Sequence, residues 1–177
     1  MTLLRAVLLF VLLQRGGELV LAWRNTAYLR DRGGVEIDPA GHKYFVALHA
    51  AWLAAMLIFA PADTSPSWPL LAGFLALQAA RVWTIATLGR RWTTRLIVLP
   101  GTPPIRRGPY RWLAHPNYTI VIAELAILPL AFSAIAIAVL FTACNVALLA
   151  RRIRLENAAL GRASYHIQET LPRRNAL

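Results

Sequence analysis

Two short polar stretches carry most of the residue types able to do chemistry in an otherwise apolar chain. The first, RRGPYRWLAHPNY at 106–118, holds Tyr110, Arg111, Trp112, His115, Pro116 and Tyr118. The second, RRIRLENAAL at 151–160, holds Arg152, Glu156 and Asn157, with Tyr165 a little further on. Gly108-Pro109 and His115-Pro116 each interrupt a helix, because the residue before a proline is pushed out of the helical region. Arg152 and His115 suit a ligand carboxylate, while Glu156 suits sugar hydroxyls or an amino group. The rings of Tyr110, Trp112, Tyr118 and Tyr165 suit a nucleobase or a sulfonium cation. Two plainer readings compete: Arg152 and Glu156 sit four apart and can pair locally for roughly a few tenths of a kcal/mol, and aromatic residues at a membrane edge often serve as anchors.

Further polar residues lie inside apolar runs. Gln14 and Glu18 are four apart and share one helix face, pointing into a bundle either as a hydrogen-bonded pair or towards a substrate. Gln78 and Arg81 interrupt one apolar run and Glu124 another. Cys144 is the single cysteine, so an internal disulfide and cysteine-based metal clusters are excluded; it reads as a small buried hydrophobe.

These residues need elements to hold them. The chain has 177 residues, enough for one domain over 1–177, and is 58% hydrophobic with only 15% charged residues, which points to the membrane class. The formal charge of +11 does not imply nucleic acid, because the arginines border apolar spans instead of forming one basic face. The expected fold is all-α, an integral membrane protein with five transmembrane helices at about 3–22, 44–60, 70–88, 117–131 and 133–150. The last two form a tight hairpin, the fourth being short for a full crossing. Residues 23–43 read as a polar loop. A cleaved signal peptide is disfavoured, since Arg15 and Glu18 stand where small residues should follow the apolar core.

Lys and Arg cluster in 23–43, in 89–116 and in the tail, and are missing from 61–69 and the turn near 132. The positive-inside rule then places the three basic regions in the cytoplasm and the N-terminus outside. Residues 89–118 and 151–170 therefore meet on one side as a cytoplasmic cofactor-binding region.

The run GPYRWLAHPNY, followed about 35 residues later by RIRLENAALG and Tyr165, resembles the signature of the isoprenylcysteine carboxyl methyltransferase family. That pattern is an R-x-x-H-P-x-Y passage, a hairpin, and R-I-x-x-E-E. Here Arg111 stands four before His115, and Asn157 stands where the family has its second glutamate. QRGGEL, WRN, RVWTIATLGRRWTTRLIVLPG and HPNYTIVIAEL extend the resemblance to a small bacterial branch. Its members accompany type III polyketide synthases and resemble O-methyltransferases of alkylpyrone or alkylresorcinol hydroxyls. The resemblance implies S-adenosyl-L-methionine as cofactor, held by His115, Pro116, Tyr118, Arg152 and Glu156 with backbone contacts from Leu99 to Gly101, and a lipophilic acceptor entering from the bilayer. It also fits the lack of a glycine-rich dinucleotide fingerprint.

Methyl transfer needs alignment, exclusion of water and an acceptor that loses its proton. Glu124, buried in a span, is the expected base, unless Arg81 pairs with it structurally; Arg81 or Arg95 would hold the acceptor oxygen. Methylation of a prenylated cysteine carboxylate or of phospholipid amines are alternatives within the class. Outside it stand a nicotinamide-dependent membrane reductase and a non-enzymatic lipid-binding protein.

Overall fold

The computed structural model describes residues 2–61 and 65–170, with side chains as far as Ala159. Five helices carry the chain: α1 (Leu3–Arg30), α2 (Gly41–Phe59), α3 (Trp68–Leu88), α4 (Pro116–Ala131) and α5 (Ile135–Thr170). Four are long and apolar enough to cross a membrane, while α4, with 16 residues, is shorter. Leu13, Ile58, Phe59 and Val139 are among many large apolar side chains left exposed. An apolar surface of that extent belongs against lipid.

Several boundaries differ from the sequence-based expectation. α1 does not stop at residue 22, because nothing between Trp23 and Arg32 breaks a helix; it ends where Gly33 and Gly34 return their N–H groups to Arg30 and Leu29. Gly33 sits at φ 80°, a conformation that favours glycine. Residues 23–30 are thus helical. They stay ordered by reaching sideways: Asn25 donates to the Trp92 carbonyl at 2.7 Å, and the Thr26 and Thr93 hydroxyls meet at 2.8 Å. The fold is also not purely α-helical. β1 (Val35–Glu36) pairs antiparallel with β2 (Ile97–Val98), a ribbon too short to show as an alternating pattern.

Span two begins early, at Gly41, because Asp38 accepts its N–H and caps the helix. A Cβ at Gly41 would collide with the Asp38 carboxylate, so this bond requires glycine there. The last span begins later than expected, at Ile135, after Ser133 adopts φ 60° in the turn following α4. Span and tail are one helix, and Arg152 continues the buried face of Asn145 and Leu149, with Glu156 one turn further on. Cys144 is exposed on α5, not buried as expected.

The packed core sits at one end of the bundle. Leu8, Val11, Trp52, Met56, Phe74, Leu125, Leu128 and Phe132 interlock there, drawn from the first half of α1 and α3 and the second half of α2 and α4. The opposite end is hollow, and the 89–115 connection crosses it with Trp92 and Leu96 buried.

Candidate functional site

The hollow end encloses a cavity of about 500 Å³. One wall comes from α1 and α2, one from the 91–97 and 104–118 segments, and one from α5 at Leu149, Arg152 and Glu156. The two polar stretches, far apart in sequence, share this space. Pro116 starts α4 in the first turn, where a missing N–H costs nothing, and this aims His115, Asn117 and Tyr118 inward.

Four of these side chains form an incompletely used cluster. Arg152 Nε donates to the Tyr118 hydroxyl at 3.0 Å, and that hydroxyl donates to Glu156 Oε2 at 2.9 Å. His115 Nδ1 lies 3.7 Å from the same carboxylate oxygen, and the His115 and Tyr118 rings stack at 5.1 Å. Among the described residues, the terminal nitrogens of Arg152 and Oε1 of Glu156 make no hydrogen bond. Asn117 Oδ1, on the same wall, is buried with no partner among the described residues. Tyr110 closes the cluster; burial, then Tyr118 and Glu156 beside it, pushes its phenol above the ordinary range, so it stays a donor.

A second cluster lies deeper. Glu18 Oε1 accepts from Arg81 Nε at 2.6 Å and from Gln14 at 3.2 Å, and Oε2 accepts from Arg15 at 2.7 Å and Arg81 Nη2 at 2.8 Å. Glu124 accepts from Arg15 at 2.7 Å, Arg81 Nη1 at 2.9 Å and Gln78 at 2.9 Å. Every carboxylate oxygen is taken. Two arginines balance two glutamates, and Glu18, Arg15 and Arg81 face the cavity whereas Glu124 stands behind them. Of the two expectations for Glu124, base or partner of Arg81, the geometry displays the pairing. Gln14 likewise forms the hydrogen-bonded pair with Glu18 and is not on the cavity wall.

Other expected residues divide. Arg95 lines the cavity and pairs with Glu36 at 2.7 Å. Burial would raise the Glu36 carboxyl, but the donors Arg95 and Arg30 outweigh it and hold it below the usual range. Leu99 and Gly101 form a turn closed by Thr102 N–H to the Leu99 carbonyl, away from the cavity, which meets Ile97, Pro104 and Ile105 instead. Asn157 is exposed and off the wall. The side chain of Tyr165 lies outside the described residues. Trp112 is exposed and sits tilted on Trp83 at 6.0 Å, not in the cavity.

Sequence reasoning missed one face of α2. His42, Phe45, Val46, His49, Ala50 and Leu53 all line the cavity. The signal was present, since His42 and His49 are seven apart and so share a helix face.

The donor set fits an amino acid bearing a nucleoside. Among the described residues Arg152 offers unspent charged donors and His115 a ring nitrogen for a carboxylate, Glu156 an unspent acceptor for an ammonium, Asn117 an orphaned polar atom, and Tyr110 and Tyr118 aromatic rings. A model of the isoprenylcysteine carboxyl methyltransferase (ICMT) family matches residues 70–162. The uncharacterized protein YpbQ of Bacillus subtilis (strain 168) is 32% identical over 154 residues, covering 85% of this chain and 92% of that protein. No solved structure gives a significant match.

Proposed function

This chain belongs to the isoprenylcysteine carboxyl methyltransferase family and is therefore a membrane methyltransferase, and from that premise we propose that it methylates a hydroxyl of a lipophilic acceptor with S-adenosylmethionine. The observation that carries the reading is the single cavity, polar and under-used at Arg152, Tyr118 and Glu156, apolar along Leu12, Leu19, Val46 and Leu53. Leu12, Leu19 and Val46 are also exposed on the outer surface, which gives a lipid chain a lateral way in.

When bound, S-adenosylmethionine supplies an electrophilic methyl group on a sulfonium. Arg152 and His115 hold its carboxylate and Glu156 its ammonium. The Tyr118 hydroxyl, accepting from one and donating to the other, fixes their spacing. Tyr110 and Tyr118 present faces to positive charge. The apolar wall excludes water and holds the acceptor chain, so that its reacting oxygen is aligned rather than captured by diffusion. Among the described residues Arg95 spends Nη1 on Glu36 and keeps its other donors for an acceptor oxygen, while Arg81 is committed to Glu18 and Glu124.

The acceptor we favour is an alkylpyrone or alkylresorcinol made by a type III polyketide synthase. The setting is a bacterial inner membrane with the N-terminus outside and the cavity's polar end at the cytoplasm, as the arginine distribution implies. Carboxyl methylation of a prenylated cysteine is the second reading, favoured by the family's name. Incubating the purified chain with methyl-labelled S-adenosylmethionine and each acceptor separates them. Label in the alkylresorcinol ether supports the first reading; label only in a base-labile ester supports the second.

A further inference from the structure

The geometry points to His49 as the residue that takes the proton from a hydroxyl acceptor, an inference that rests on the methyltransferase reading and specifies its acceptor. His49 is on the cavity wall, and its Nδ1 lies 2.8 Å from the Phe45 carbonyl one turn back. A carbonyl oxygen can only accept, so Nδ1 is the donor and Nε2 of the neutral ring carries the lone pair. Among the described residues Nε2 makes no hydrogen bond, and it is not sealed within the protein as the Nδ1 of His42 is. With Nδ1 turned back to its own helix, the ring offers the cavity it lines its Nε2 edge.

The carboxylates and His115 are spent or placed elsewhere, and the Nδ1 of His42, unpartnered among the described residues, is sealed from the cavity by burial. Glu18 takes donors on both oxygens. Glu156 and His115 face one another at the end suited to the methyl donor. Glu124 lies behind Arg15 and Arg81, with three donors of its own. The charged groups around His49 are Arg15 and Glu18 of α1 and Arg81 of α3. With Glu124 behind them they make two arginines and two glutamates, so this floor offers a carboxylate acceptor no unpaired cation, whereas a neutral hydroxyl enters beside it without a charge to offset.

The step balances. As the acceptor oxygen gains the methyl group, an O–C bond forms and the O–H bond breaks, its proton moving to Nε2. The S–C bond breaks with its electron pair kept by sulfur, and the positive charge of the sulfonium ends on the imidazolium, which later returns the proton to water. A carboxylate acceptor, already anionic, requires no such transfer. His49 therefore distinguishes the two acceptor classes.

The test uses the full chain in detergent, with a long-chain alkylresorcinol and N-acetyl-S-farnesylcysteine as acceptors. His49→Gln is expected to lower alkylresorcinol turnover about a hundredfold or more, to flatten its pH profile and to leave S-adenosylhomocysteine affinity unchanged. Added imidazole should restore part of the rate to His49→Ala, which a packing role would not allow. In histidine-labelled protein the His49 nitrogen signals should report the Nδ1–H form and move when alkylresorcinol is added with S-adenosylhomocysteine. Equal turnover and pH profile in His49→Gln, or wild-type activity on the farnesylcysteine alone, overturns the assignment while leaving the methyltransferase reading intact. Wild-type protein that binds no S-adenosylhomocysteine and methylates neither acceptor overturns both.

Discussion

The described residues form two clusters in which arginine and glutamate meet other polar side chains, alike in kind and opposite in state. The deep cluster of Arg15, Glu18, Gln78, Arg81 and Glu124 spends its carboxylates entirely on the protein. The outer cluster of His115, Tyr118, Arg152 and Glu156 leaves guanidinium nitrogens and a carboxylate oxygen unused among the described residues. Charge content alone does not separate a structural network from a ligand site. The separation comes from counting which donors and acceptors the fold itself consumes.

The largest effect should come from unbalancing the deep cluster. Arg81→Met leaves Glu18 and Glu124 facing one fewer cation in a buried setting, and the expected cost is about 3–5 kcal/mol. Thermal unfolding in detergent measures it. Replacing Glu124 together with Arg81 by apolar residues should recover much of the loss, because one charge of each sign is then removed.

The outer cluster should behave the other way round. Arg152→Ala is expected to weaken S-adenosylhomocysteine binding by at least about tenfold, the scale of one lost charge-assisted hydrogen bond, with a smaller fall in melting temperature than Arg81→Met. If Arg152→Ala unfolds the chain and Arg81→Met merely weakens binding, the contrast between the clusters is inverted.

A third set of pairs ties the rim. Asp38 accepts two bonds from Arg151, at 2.7 and 3.2 Å, and Glu36 joins Arg95. The Arg151 hydrogen bonds hold the Asp38 carboxyl below its ordinary value of 3.8. Since the folded pKa is the lower one, the contribution is complete above the unfolded value and is lost as pH falls through the depressed one. Limited proteolysis of residues 31–40 should therefore accelerate only in acid, and Asp38→Asn should cleave quickly at every pH. The smallest effect is expected at Asn157, exposed and off the wall, where Asn157→Ala should change cofactor affinity less than twofold, within the range of an ordinary surface substitution.

Much of this was legible in the chain. Apolar runs announced the helices, and the Gly-Pro and His-Pro breaks announced the entry to α4. The helical face of α5 carried Arg152 and Glu156 together. What stayed hidden depended on contacts distant in sequence. Residues 23–30 look like a polar loop until Asn25 and Thr26 find the 89–93 segment. The Val35–Glu36 ribbon is two residues long, below any periodic signal. Glu124 could be read as base or partner because only the bundle reveals that Arg15, which is 109 positions away, reaches it. The α2 face of His42 and His49 was passed over, since the cavity it lines takes shape only with the other elements.

The most direct test of the central claim, that one cavity joins a methyl-donor cluster to a lipid-accessible chamber, is to locate the donor. Photo-crosslinking of labelled S-adenosylmethionine to the full chain, followed by peptide mapping, should place the label in 108–121 and 149–158, competed away by S-adenosylhomocysteine. Label confined to the separate pocket around Leu21, Tyr28 and Arg90, or label that Arg152→Ala leaves undiminished, would contradict it.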